Sequence, residues 1–122
     1  MFTKYLLPVL AAAAMVAAGA LTCNEWQIFP NTEELIANCV EDSGQFKNTG
    51  ASISDCVGNG NGFPGCQVNG GAAASCVMSD LVATPTVVTV TMSCKADDGS
   101  TRVTTGFDVG NCFSNQNGVL AC

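Results

Sequence analysis

The sequence has no histidine, four basic residues, one tryptophan and one tyrosine. Lacking histidine, it lacks the commonest metal ligand and general base. The eight cysteines form no C-x-x-C pair, so the usual zinc-binding spacing is missing as well. A cysteine nucleophile would also have no histidine to activate it. We therefore predict no metal, no cofactor and no thiol catalysis.

Basic residues are too scarce for a nucleic-acid-binding protein, since such binding depends on neutralising phosphates. An anionic membrane surface is disfavoured for the same reason. The adjacent carboxylates Glu33-Glu34 and Asp97-Asp98 would point apart on a strand, and a glycosidase needs two carboxyls facing each other across a cleft. The sequence therefore predicts a non-enzymatic protein that binds neither nucleic acid nor membrane.

The first twenty residues have the pattern of a signal peptide. Lys4 precedes an apolar run over residues 5–17, and Ala18-Gly19-Ala20 supplies small residues for cleavage. A membrane anchor would need about 20 apolar residues, more than this run offers. A lipoprotein with Cys23 lipidated is the other alternative, but Thr22 is a poor preceding residue. We expect a secreted, extracellular chain that begins at Leu21, carries a net charge of −7 and forms one domain over residues 21–122.

All eight cysteines follow the leader, and their even number in an exported chain predicts a disulfide framework. Residues 23 to 66 hold four cysteines with gaps of 16, 17 and 10, and residues 76 to 122 hold four with gaps of 18, 18 and 10. One half therefore looks like a copy of the other. The simplest duplicated pairing joins neighbours in each half: Cys23–Cys39, Cys56–Cys66, Cys76–Cys94 and Cys112–Cys122.

The duplication extends beyond the cysteines and defines repeat 1 (residues 21–66), a small-residue linker of flexible character (67–75) and repeat 2 (76–122). Each repeat ends in N-x-N-G between apolar residues, and Asn-Gly favours the tight turn of a β-hairpin. Asn61-Gly62 and Asn117-Gly118 should therefore be hairpin tips. Pro64 lacks an amide donor, so its strand should lie at an edge or carry a bulge.

The remaining segments read as strands. Residues 84–94 alternate valine and methionine with threonine and serine, as expected for a strand with one buried face. Residues 33–39 hold the equivalent place in repeat 1; a helical turn is the alternative there, but the match to residues 84–94 favours a strand. Two short repeats bury little alone, so we expect a shared core, with an exchanged hairpin as one way to build it. The chain should then be a monomer or a domain-swapped dimer. We expect Trp26 and Phe29 in the core rather than stacked on a ligand.

The tandem cysteine and N-x-N-G pattern, from Thr22-Cys23 to Cys122, resembles the cyanovirin-N family in its fungal secreted branch. The resemblance implies an all-β, disulfide-rich fold of two pseudo-symmetric repeats, each a three-stranded sheet plus a β-hairpin, with the first two cysteines of each repeat bridged. It also implies a lectin for mannose-containing, high-mannose glycans, with one shallow site in each repeat.

Carried over by position, the resemblance implies two carbohydrate-binding clusters. One contains Thr22, Val40, Asp42, Asn115, Gln116 and Asn117. The other contains Ser75, Lys95, Asp97, Gly58, Asn59 and Asn61. The chain departs from the founding member where Val40 and Ala74 stand in place of glutamates, Asp97 in place of an arginine, and Asn61 and Asn117 in place of aspartates.

These departures leave an alternative open, namely a secreted interaction or effector protein that keeps the scaffold without binding sugar. A surface-film protein of the hydrophobin kind is disfavoured, because such proteins contain adjacent cysteine pairs and this chain has none.

Overall fold

The computed structural model describes residues 22–29 and 33–122. The predicted signal peptide lies outside them. Repeat 1 opens with an antiparallel sheet of β1 (Cys23–Phe29), β2 (Glu34–Val40) and β3 (Phe46–Ser52), followed by a hairpin of β4 (Val57–Gly60) and β5 (Phe63–Cys66). Repeat 2 has the same order, with a sheet of β6 (Cys76–Ala83), β7 (Val88–Lys95) and β8 (Thr101–Phe107) and a hairpin of β9 (Ser114–Gln116) and β10 (Val119–Ala121). The predicted all-β fold of two matching repeats is confirmed.

Short 3-10 helices, Ile53–Asp55 and Val109–Cys112, connect each sheet to its hairpin, and a third, Ala72–Ala74, precedes β6. Within the described residues, no helix is long and apolar enough to cross a membrane.

The central strands supply the core because their side chains alternate between two faces. Leu35, Ala37 and Cys39 of β2 are fully buried, and on β7 the alternating residues from Val88 to Cys94 are buried as well. Both strands belong to one apolar cluster, so the predicted shared core is confirmed. Trp26 packs against this cluster, but the core prediction for Phe29 is wrong, since its side chain is 54% exposed at the end of edge strand β1.

The hairpins are exchanged between the repeats. β10 of repeat 2 contacts β3 of repeat 1, and β5 of repeat 1 contacts β8 of repeat 2. The amide of Leu120 donates to the buried Thr49 hydroxyl at 3.2 Å, anchoring β10 to β3. Pro64 occupies the position equivalent to Leu120 and has no amide to donate. As predicted, its strand lies at an edge, in a two-stranded ladder where Pro64 pairs with Asn59.

The hairpin disulfides correct the predicted pairing. Cys23–Cys39 and Cys76–Cys94 form as expected, but the hairpin cysteines pair between the repeats, as Cys56–Cys122 and Cys66–Cys112. Each of these crossed bridges joins the first hairpin cysteine of one repeat to the second of the other. The disulfide pattern therefore still follows the duplication, because exchanging the two repeats converts one crossed bridge into the other.

Strand register explains why the predicted hairpin bridges do not form. Gly60 pairs with Phe63 around the tip and Val57 pairs with Cys66, so Cys56 lies one residue out of step with Cys66. Side chains one step apart in a ladder point to opposite faces, which separates the two sulfur atoms.

The segment 67–75 is anchored rather than free, contrary to its predicted flexible character. The amide of Asn69 donates to the backbone oxygen of Asp55 at 2.7 Å, and that of Gly71 donates to the backbone oxygen of Ser54 at 3.0 Å. Ala72 is fully buried. The segment packs on repeat 1 as part of the domain.

Candidate functional site

The first predicted cluster surrounds Asn115, where the repeat 2 hairpin meets the repeat 1 sheet. The Nδ2 atom of Asn115 donates to Oγ1 of Thr22 at 2.7 Å and to the backbone oxygen of Val40 at 2.9 Å. Its Oδ1 accepts from the amide of Gly118 at 2.7 Å. Both amide hydrogens are therefore engaged within the protein. We call this set of contacts the Asn115 latch, because it ties the hairpin to the other repeat.

The tip of the same hairpin makes a second connection to repeat 1. Oδ1 of Asn117 accepts from the backbone amide of Asp42 at 2.8 Å. Asn117 and Gly118 have φ angles of 52° and 87°, as expected for the predicted Asn-Gly turn. A Cβ atom on Gly118 would lie 2.7 Å from Cγ of Glu41. Glycine is therefore required by both its backbone angle and the close approach of the two repeats.

The second predicted cluster repeats this geometry. Nδ2 of Asn59 donates to Oγ of Ser75 at 2.8 Å and to the backbone oxygen of Lys95 at 2.9 Å, and its Oδ1 accepts from the amide of Gly62 at 2.7 Å. The amide of Asp97 donates to Oδ1 of Asn61 at 2.8 Å. The Asn59 latch thus matches the Asn115 latch contact for contact.

Arg102 adds a feature particular to the second cluster. Its Nε donates to the backbone oxygen of Asn61 at 3.2 Å, and its guanidinium carbon lies 4.8 Å from the centroid of the Phe63 ring. The charged side chain is therefore held against the hairpin tip by a hydrogen bond and a cation–π contact.

The structure brings the predicted residues together in two groups but gives them different roles. Asn59 and Asn115 hold the hairpins in place, and Ser75 and Thr22 accept their hydrogen bonds. Four other residues have exposed side chains beside the latches, namely Asp42, Lys95, Asp97 and Gln116. The side-chain Nε2 of Gln116 donates to Oγ of Ser114 at 3.1 Å, at the surface of the hairpin. Gly58 is buried beneath Gln67.

A groove adjoins each latch. The larger, about 590 Å³, reaches Thr22 and Val40, and the smaller, about 300 Å³, reaches Ser75 and Lys95. Apolar side chains line much of the larger groove, including Trp26, Phe46 and Pro85. The sequence prediction missed Phe46 and Pro85, because nothing in the spacing of these residues indicated that the chain would bring them together.

The described residues contain no group of three or more histidine, cysteine, aspartate or glutamate side chains that could hold a metal ion. The turn between β7 and β8 has one perturbed carboxylate. Hydrogen bonds from the hydroxyl and amide of Ser100 hold the pKa of Asp98 below its usual value.

The family model for the CVNH domain matches residues 20–121, which is most of the chain. The chain therefore belongs to the CVNH domain family, the cyanovirin-N homologues, and the resemblance noted in the sequence is confirmed. A second model, described as a GPI-anchored cell wall organization protein, matches residues 1–29. No curated protein gives a significant match.

Solved structures of the same fold agree with this assignment. A designed cyanovirin-N homologue lectin, LKAMG, is 14% identical, with a TM-score of 0.70 and coverage of 86% of this chain and 98% of its own. The CVNH protein of T. borchii is 24% identical, with a TM-score of 0.61 and the same coverage. Microvirin, solved as a mannobiose complex, is 22% identical, with a TM-score of 0.61 and coverage of 83% and 94%.

Proposed function

We propose that this protein is a secreted, non-catalytic lectin that binds mannose-containing oligosaccharides beside its two latches. Membership of the CVNH family carries the proposal. The mannobiose complex of microvirin, a protein of the same fold, supports the choice of sugar. The duplicated latch geometry supports one site in each repeat.

In this proposal the exposed polar side chains contact the sugar, while the latches hold the surface on which they stand. Asp42 and Gln116 would serve the Asn115 site, and Lys95 and Asp97 the Asn59 site. Carboxylate, amide and ammonium groups provide the acceptors and donors that sugar hydroxyls require. Thr22, Ser75 and the four asparagines contribute by fixing the backbone of each site.

The proposal is tested with the disulfide-bonded chain of residues 21–122 on a glycan array, followed by calorimetry with mannobiose. Gln116→Gly and Lys95→Val place at each site the residue found at the equivalent position of the other repeat, Gly60 and Val40. The fold already accommodates glycine and valine at these positions of the other repeat. We expect each variant to weaken one site and leave the other unchanged. Uniform silence of the wild-type chain on the array would contradict the proposal.

The engaged amides favour a second candidate function. Because Asn59 and Asn115 already bond within the protein, and Val40 and Ala74 stand where the founding member has glutamates, the scaffold can persist without a sugar site. A secreted interaction or effector protein is then the alternative, and it is the function that a silent array would favour.

We also propose export through cleavage after residue 20. The apolar leader supports it, and so does the match of residues 1–29 to the model of a cell wall protein. N-terminal sequencing of the protein from culture medium should begin at Leu21. Retention of the protein inside the cell would refute export.

The oxidised chain is proposed to be a monomer whose repeats latch to each other. A dimer that exchanged repeats across residues 67–75 would place both crossed bridges between chains. Such a dimer would run as a covalent dimer on a gel without reductant and as a monomer with it. A dimer that separates in denaturant without reductant would exclude this exchange.

A further inference from the structure

The larger groove differs from its counterpart in ways that the duplication does not explain. Its walls come from both repeats, with Trp26 and Phe46 on repeat 1 and Pro85 in the β6–β7 connection of repeat 2. Phe46 is 57% exposed although it lies in the groove. In the smaller groove the position equivalent to Phe46 is held by Thr101. Repeat 1 therefore offers an aromatic surface where repeat 2 has a small polar side chain.

A strained residue lies in the same groove. Glu25 has a φ of 55°, which is unusual for a residue other than glycine, and it lies where the pairing of β1 with β2 is interrupted between Asn24 and Gln27. β6 has the same kind of interruption farther along the strand, between Ser79 and Val82, where Asp80 has a φ of 51°, but Asp80 does not line the smaller groove. Such strain persists where the surroundings hold it, often at ligand sites.

Two asparagines hold the Glu25 carboxylate in place. Nδ2 of Asn38 donates to Oε1 of Glu25 at 2.5 Å, and Nδ2 of Asn48 donates to Oδ1 of Asn38 at 3.0 Å. At the equivalent positions of repeat 2 stand Ser93 and Val103, which make no such chain of amides. The carboxylate in the larger groove is therefore fixed by contacts that repeat 2 lacks.

An aromatic surface beside a fixed acceptor suits a neutral saccharide. The C–H faces of a sugar ring pack on aromatic rings, while its hydroxyls donate to a carboxylate. The net charge of −6 and the position of Glu25 disfavour an anionic ligand. The volume of about 590 Å³ falls within the range of pockets that take small ligands.

We propose that the larger groove is an extension subsite, which binds the sugars beyond the disaccharide held at the Asn115 site. This inference rests on the proposed lectin function. Thr22 and Val40 line the groove and also receive the hydrogen bonds of the Asn115 latch, so the two sites are continuous. Repeat 1 is then the site for longer oligosaccharides, and repeat 2 is the site for short ones.

The test uses mannobiose and linear mannose oligosaccharides of three and four sugars, measured by calorimetry. Phe46→Thr gives the groove the residue that repeat 2 has, and Glu25→Gln removes the charge. Each variant should lose about threefold to tenfold in affinity for the longer sugars, the range expected for one aromatic contact or charged hydrogen bond, and little for mannobiose. Phe29→Thr, at an exposed phenylalanine that lines neither groove, is the matched control and should change neither. Thermal unfolding of each variant checks that the fold is retained.

The fluorescence of Trp26 supplies an independent readout. Trp26 is the only tryptophan in the sequence, and the only tyrosine, Tyr5, belongs to the predicted leader. Longer oligosaccharides should shift the emission of Trp26 in the chain of residues 21–122. Unchanged emission, or Phe46→Thr and Glu25→Gln affinities equal to wild type, would overturn the extension subsite and leave the lectin function standing. A loss equal for all sugar lengths would also overturn it, since it would assign these residues to the first two sugars. Absence of binding to any sugar would overturn both proposals.

Discussion

Removing the Cys66–Cys112 bridge, by changing both cysteines to alanine, measures what the connection between the repeats contributes to stability. While the Cys56–Cys122 bridge is intact, the Cys66–Cys112 bridge closes one further loop, which consists of the two hairpins alone. For a loop of roughly 20 residues, chain entropy predicts a loss of about 3 kcal/mol in the free energy of unfolding. The reciprocal variant, with Cys56 and Cys122 changed to alanine, should lose a similar amount because the two bridges are equivalent.

Thermal and guanidinium unfolding of both variants measure this loss. In a domain of this size, about 3 kcal/mol corresponds to a decrease in Tm of about 12–24 °C. Removing both bridges together should destabilise the chain by about 7 kcal/mol, since the larger loop is then released as well. An unchanged midpoint in either two-cysteine variant would refute the reasoning.

Peptide mapping checks the connectivity on which this prediction depends. Trypsin cuts after Lys47, Lys95 and Arg102, which places the cysteines of the two hairpins on separate peptides, 48–95 and 103–122. Crossed bridges keep these two peptides together in a non-reduced digest, whereas bridges within each hairpin would let them separate. Recovery of the two peptides as separate masses would contradict the structure.

Three further predictions concern the latches and turns. Asn115→Ala should lower the free energy of unfolding by about 2 kcal/mol, because three partners lose a hydrogen bond, while Gln116→Ala next to it should change it by less than about 0.5 kcal/mol; chemical denaturation compares the two. Gly118→Ala should destabilise the chain by about 2 kcal/mol or more, and Gly44→Ala by only about 1 kcal/mol, since both have positive φ angles but only Gly118 lacks room for a Cβ atom. Equal losses would show that the close approach to Glu41 is unimportant. Ser100→Ala should raise the pKa of Asp98, which NMR titration measures. Because the pKa of Asp98 is depressed in the folded protein, the stability that this contact supplies is lost as the pH falls through that pKa. An unshifted titration would contradict the role of Ser100.

Much of the fold could be predicted because local signals and the duplication agree. The alternation in residues 84–94 predicts β7, and the Asn-Gly pairs predict both hairpin tips, where Asn61 and Asn117 adopt positive φ angles. The hairpin disulfides were predicted wrongly because short spacing was preferred over register. With Asn61-Gly62 placed at the tip, counting outward puts Cys66 opposite Val57 rather than opposite Cys56. That count was available from the sequence, although the partner of each cysteine in the other repeat was not.

The roles of the clustered asparagines could not be derived in the same way. The partners of Asn59 and Asn115 include the backbone oxygens of Lys95 and Val40, 36 and 75 residues away in the chain. Every residue type has a backbone oxygen, so the sequence cannot show which one accepts a hydrogen bond. It shows only that asparagine side chains recur at equivalent positions of the two repeats. The resemblance placed these residues in two groups, and the three-dimensional contacts separate the asparagines that hold the hairpins from the exposed side chains beside them.

The two repeats differ less in how they are held together than in what they expose. The latches, the hairpin tips and the crossed bridges occur twice, because each hairpin must be fastened to the opposite sheet for the shared core to close. The surrounding surface is free of that constraint. Phe46 of repeat 1 corresponds to Thr101 of repeat 2, and Asn38 and Asn48 correspond to Ser93 and Val103. At each of these positions both residues are compatible with the same strands. The latch, turn and disulfide residues that serve closure are therefore matched between the repeats, and the unmatched positions beside the grooves are where the two proposed sugar sites differ.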